Sequence, residues 1–131
     1  MIRYMLFSAT CFAIGFLMAA CPSKAEANHS GWNRTTASYY TLYGNRTACG
    51  ETMSDRSWHV ASLHQYYAKC GMRITICRSS RCVHVKVMDS GSYCKFVPLS
   101  KCYRLWDLAP RVKRALRCSS VCKVKWHRRW V

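Results

Sequence analysis

Only five carboxylic acids, Glu26, Glu51, Asp55, Asp89 and Asp107, stand against 21 lysines and arginines in this 131-residue sequence. With acids so scarce, each one needs a reason. Asp89 follows the alternating valines Val83, Val85 and Val87 and opens the turn Ser90-Gly91, which places it at a strand end, where a barrel presents chemistry. A carboxyl group held there can act as a general acid or base. An aspartate whose side chain caps its own loop would fit the same position. Asp107 closes the short strand Leu105-Trp106-Asp107, and its alternative role is to cap a helix starting near Leu108 to Arg111. Glu51, in Thr47-Ala48-Cys49-Gly50-Glu51, reads as a residue tying the turn after Thr47.

Secondary-structure elements must hold these groups. Met72, Ile74 and Ile76 alternate with Arg73 and Thr75, and the three valines alternate with His84 and Lys86. Period two predicts strands over Met72 to Cys77 and Cys82 to Met88, joined by the four-residue loop Arg78-Ser79-Ser80-Arg81. That hairpin sets Cys77 opposite Cys82, within reach of a cross-strand bond, and leaves His84 on the solvated face. Residues 28–36 are polar and read as a linker, Ala37 to Tyr43 as a first strand, and Gly44-Asn45-Arg46 as a turn. Val60 to Cys70 fits either a short helix closed by Gly71 or a strand followed by a turn. Pro110 suits the first turn of a helix whose apolar stripe is Val112, Ala115 and Leu116. In a last strand, Val121 to Trp126, Val124 and Trp126 share one face, with Lys123 and Lys125 on the other. The pattern predicts a small, mostly β domain with one or two short helices.

Arg3 precedes an uncharged stretch, Tyr4 to Ser23, in the order of a secretory signal peptide. Ala25-Glu26-Ala27 offers cleavage after Ala27, and Leu17-Met18-Ala19-Ala20-Cys21 approximates a lipidation site, giving a possible outer-membrane anchor at Cys21. An uncleaved membrane anchor is the third reading. Removing residues 1–27 leaves eight cysteines, 19 basic and 4 acidic side chains, and a charge of +15. Eight cysteines in a small exported domain predict four disulfides, with the pairing open. Their spacings repeat no zinc-knuckle pattern, so no metal is expected.

Five segments resemble, in order and near-family spacing, the rare lipoprotein A (RlpA) family. They are Ala37-Ser38-Tyr39-Tyr40, Arg46-Thr47-Ala48-Cys49-Gly50-Glu51, Val60-Ala61-Ser62-Leu63-His64, Val87-Met88-Asp89-Ser90-Gly91 and Leu105-Trp106-Asp107-Leu108-Ala109. The resemblance implies a six-stranded double-psi β-barrel over residues 37–131, a fold shared with expansins, barwin-like proteins and family 45 endoglucanases. It also implies lytic transglycosylation of peptidoglycan glycan strands, in the periplasm, secreted, or at the outer membrane. By motif, Asp89 takes the place of the catalytic aspartate, His64 that of the family histidine, and Asp107 matches an aspartate that acts as the acid in the related endoglucanases. Met88, Ser90 and Ser92 replace the Asn, Arg and Pro of the family motif around Asp89, and the cysteine content leans toward the expansin and barwin branch.

On this reading Asp89 protonates the leaving oxygen and then, as base, helps the muramic acid 6-hydroxyl close onto its own anomeric carbon. That requires burial to raise its pKa against the surrounding cations. His64 would hydrogen-bond Asp89 or a substrate hydroxyl, or else pack beside Tyr66 and Tyr67. Tyr40, Glu51 and Tyr93 are the expected glycan contacts, the tyrosines by stacking. No cofactor is expected, and the chain is expected to be a monomer. The positive charge draws the domain to carboxylate-bearing peptidoglycan. Arg111, Lys113, Arg114 and Arg117 form a basic helix face suited to nucleic acid, which export argues against. The alternative function is a non-catalytic, expansin-like module that binds or loosens cell wall.

Overall fold

The computed structural model describes residues 31–130. The expected signal peptide, its cleavage after Ala27 and lipidation at Cys21 fall outside the described residues. Six strands, β1 (Asn33–Tyr39), β2 (Val60–Ser62), β3 (Arg73–Arg78), β4 (Arg81–Ser90), β5 (Arg104–Leu108) and β6 (Cys122–His127), close into a barrel in the order β1-β5-β2-β4-β3-β6. Among the described residues, closure leaves no open sheet edge to template aggregation. Two 3-10 turns (Gln65–Tyr67 and Leu99–Lys101) and a single described α-helix, α1 (Pro110–Leu116), complete the fold.

The alternation read from the sequence fills the barrel. Val60, Ile74, Ile76, Val85, Val87, Leu108 and Val124 are buried in one cluster with Trp106 and Trp126, whose rings meet edge to face at 5.1 Å. Tyr67 packs on both tryptophans. α1 starts at Pro110, whose fixed φ suits a first helical turn, and ends at Arg117 in the left-handed region (φ 53). Pro110, Val112 and Leu116 are its buried face.

Three boundaries differ from expectation. β1 begins at Asn33, inside the stretch read as linker, because β6 runs antiparallel beside it from Asn33↔Trp126 to Ala37↔Cys122 and satisfies its backbone. β1 also ends at Tyr39 rather than Tyr43. In the hairpin Arg78 pairs with Arg81, so the loop shrinks to Ser79-Ser80, with Ser79 at φ 53. Neither Gly nor Asn marks that turn. Between Val60 and Cys70 the chain takes the strand-and-turn alternative.

The eight described cysteines pair as Cys49–Cys70, Cys77–Cys82, Cys94–Cys102 and Cys118–Cys122. Cys77 and Cys82 sit directly opposite in the hairpin, 4.0 Å apart at Cα. Four bridges fit a protein of an oxidising, extracellular compartment.

Candidate functional site

Period two along β4 would send Asp89 into the core after Val85 and Val87. A bulge prevents this. Val60 pairs with Val87, but the next residue, Ala61, pairs with Asp89, so Met88 has no counterpart on β2. The extra residue shifts the register by one and aims Asp89 to the face that Ala61 presents. On the other side of β2, Ala61 pairs with Asp107 of β5. The two aspartates thus share one face of the wall, separated by a single methyl group.

The turn containing Glu51 closes over this point. Thr47 and Glu51 exchange two hydrogen bonds, Thr47 N–H to the Glu51 carbonyl (2.7 Å) and Glu51 N–H to Thr47 Oγ1 (3.1 Å), and Gly50 takes φ +93. Cys49 N–H donates to the carbonyl of bulged Met88 (3.2 Å), and the Cys49–Cys70 bridge clamps the turn to the far side of the 3-10 segment. Glu51 therefore ties the turn through its main chain, while its carboxylate faces His59.

Three donors meet Asp89. Oδ1 accepts from Ala48 N–H (2.8 Å) and Ser90 N–H (2.9 Å), and Oδ2 accepts from the Tyr40 hydroxyl (2.9 Å). Tyr40 Oη also lies 2.8 Å from Nε2 of His59, a residue with no accessible surface, whose Nδ1 faces Glu51 Oε2 at 3.6 Å. Since Tyr40 donates to Asp89, His59 must donate Nε2–H to Tyr40, which leaves Nδ1 as a buried lone pair without a hydrogen-bond partner. Burial holds the His59 pKa below its ordinary 6.5, against the opposing pull of Glu51 and Asp89. Burial, followed by the hydrogen bond to Asp89, pushes the Tyr40 phenol far above its ordinary range and keeps it a donor.

The other expected residues divide. Asp107 accepts a hydrogen bond from Ser38 Oγ, its register partner on β1, and does not cap α1, whose N-cap is Ala109 without a side-chain bond. His64 is buried with both ring nitrogens on backbone: Nε2 donates to the Val97 carbonyl (2.8 Å) and Nδ1 accepts Tyr66 N–H (3.0 Å). Neither nitrogen is left for Asp89. Instead His64 anchors the loop after β4, which displays Tyr93 and Phe96, 60% and 79% exposed. Tyr93 carries the Arg104 guanidinium on one ring face at 3.8 Å. The Tyr40 hydroxyl is committed to Asp89 and His59, and its half-buried ring meets the His59 ring edge to face at 6.1 Å. Asp55, the remaining acid here, pairs with Arg114 (2.8 Å).

Sequence reasoning passes over His59. Its signal is weak but real: an ionisable residue directly before the apolar run Val60-Ala61, with its key partner, Tyr40, 19 positions away.

Comparison with solved structures finds this barrel elsewhere. An apo expansin from Clavibacter michiganensis is 23% identical over 72% of this chain, with a TM-score of 0.54. A mutant of the Clavibacter michiganensis expansin in complex with cellohexaose is 19% identical, with the same coverage and a TM-score of 0.55. The Streptomyces papain inhibitor is 20% identical over 75% of this chain and 94% of its own, with a TM-score of 0.53. This chain spans about half (48%) of the expansin length. No family model and no curated protein matches. The fold is thus the closed six-stranded barrel also found in expansins, and membership of the rare lipoprotein A family in particular has no match behind it.

Proposed function

We propose that this protein is a secreted, non-catalytic polysaccharide-binding module of expansin type, which lays a glycan across the wall bearing Asp89, Ala61 and Asp107. The observation that carries the reading is the hydrogen-bond shell of Asp89. Three convergent donors suit a carboxylate, an acceptor with no proton to give. The single-aspartate transglycosylation expected from the family resemblance needs that group to arrive as an acid, and it loses its helper because His64 is tied to Val97 and Tyr66. A polar wall beside an aromatic loop suits sugar binding, with hydroxyls meeting the carboxylates and ring faces meeting Tyr93 and Phe96. The likeness to an expansin crystallised with cellohexaose supports the same reading.

Sedimentation with insoluble cellulose and with purified sacculi tests it. The oxidised full-length protein is expected to pellet with the glycan, and the Tyr93→Ala/Phe96→Ala pair to bind about tenfold more weakly, at roughly 0.5–1.5 kcal/mol per stacked ring. Retention on neither polymer contradicts the proposal.

A further inference from the structure

On the outer face of the β1/β6 ribbon, Arg34 pairs directly with Lys125 and Thr36 with Lys123. Like charges facing each other across a ladder destabilise it. Among the described residues no carboxylate relieves them, since Glu51 faces neutral His59 and Asp55 pairs with Arg114, both away from this ribbon. Lys125 rests on the Trp32 ring at 4.9 Å, which holds its ammonium in place without neutralising it. These three cations border a cleft of about 780 Å³, into which Ser100 and the 75% exposed Tyr103 also face, and none of the four described acids lines it. Its position is equally specific. Going round the closed barrel, β6 is three strands from β2 in either direction, so the cationic floor of the cleft lies on the wall opposite Ala61 and its two aspartates, while its rim at Ser100 and Tyr103 comes from the connection between β4 and β5.

We infer that this cleft is a second binding site, specific for a carboxylate-bearing polysaccharide, and that the barrel holds two glycans on opposite walls. Arg34 offers a planar fork that matches a carboxylate, and Lys123 and Lys125, two residues apart on one strand, supply charges roughly 7 Å apart for successive groups along a chain. Tyr103 gives a ring face for a sugar, and Ser100 a hydroxyl partner. A nucleic acid would also satisfy the cations, but the four disulfides suit a compartment where wall polymers are the abundant polyanions.

The probe is polygalacturonate, with its methyl ester as the uncharged control. The full-length protein is expected to bind the free acid, to bind the ester at least about tenfold more weakly, and to lose affinity as salt rises from about 20 to about 150 mM. Lys123→Gln/Lys125→Gln should weaken acid binding about tenfold or more while leaving binding to uncharged cellulose unchanged, which separates failure of this site from failure of the opposite wall. A charge-matched control, Arg111→Gln/Arg114→Gln on α1, should keep acid binding. Equal loss in both double variants would mean diffuse charge attraction and overturn the site. Equal binding of acid and ester, or tighter binding of inorganic polyphosphate or single-stranded DNA than of polygalacturonate, would overturn the ligand class.

Discussion

Asp89 and Asp107 are joined through one residue: each is the register partner of Ala61, one on either neighbouring strand. Two strand spacings put their backbones roughly 9.5 Å apart. Ala61 is 3% exposed, so its methyl group is the floor between two carboxylates rather than a surface feature. Ala61→Leu should crowd both acids, lower stability by about 1–3 kcal/mol and abolish binding of neutral glycan. Chemical denaturation and sedimentation check the two effects, and full retention of binding would move the glycan off this wall.

Asp89→Asn keeps a carbonyl oxygen for Ala48 and Ser90 but turns an amide toward Tyr40. Tyr40 must then rotate its proton toward His59, which has to change tautomer. Charge-assisted bonds of this kind are worth about 1.5–3 kcal/mol each, so a loss of about 2 kcal/mol in denaturant unfolding is expected. A loss under half a kcal/mol would mean the three donors are satisfied by water.

His59 predicts a pH dependence. Its folded pKa lies below the ordinary 6.5, so the unfolded chain takes up the proton more readily. Stability is then fully present above about 6.5 and falls as pH drops from there toward the depressed folded value. His59→Gln should flatten that slope while the rest of the acid unfolding curve remains. An unchanged slope in the variant would exclude His59 as its source.

Cys49–Cys70 closes the longest loop of the four bridges, at a separation of 21 residues. Replacing both cysteines with serine should cost about 3 kcal/mol and speed amide exchange at Ala48, the residue that holds Asp89. Protection at Ala48 equal to wild type would mean that the Met88 bulge alone fixes the turn.

His64→Ala should leave the barrel folded but release the loop around Val97, with a stability loss of about 1–2 kcal/mol. Glycan binding should weaken with it, because Tyr93 and Phe96 ride on that loop. Unaltered binding would place the sugar elsewhere.

Much of this arrangement was legible in the residues. Period two defined both strands of the hairpin, its geometry brought Cys77 to Cys82, and the valine run pointed to Asp89 as a strand-end carboxylate. The motif order pointed to the barrel. Other features rest on contacts distant in sequence. The bulge at Met88 has no local signature, since a strict alternation would have buried Asp89. β1 begins in a polar stretch because β6, some 90 residues later, supplies its hydrogen bonds. The role of His64 depended on the path of the Val97 loop, and the Tyr40–His59 contact joins residues on separate segments that only folding brings together. Three of the four disulfides likewise follow from tertiary structure.

The central claim is that the Asp89 wall holds a glycan without cutting it. Prolonged incubation of the oxidised protein with purified sacculi, followed by mass spectrometry of the soluble fraction, tests this most directly. The account predicts protein bound to intact sacculi and no released sugar. Soluble 1,6-anhydro-ended fragments, or new reducing ends, that disappear with Asp89→Asn would contradict it.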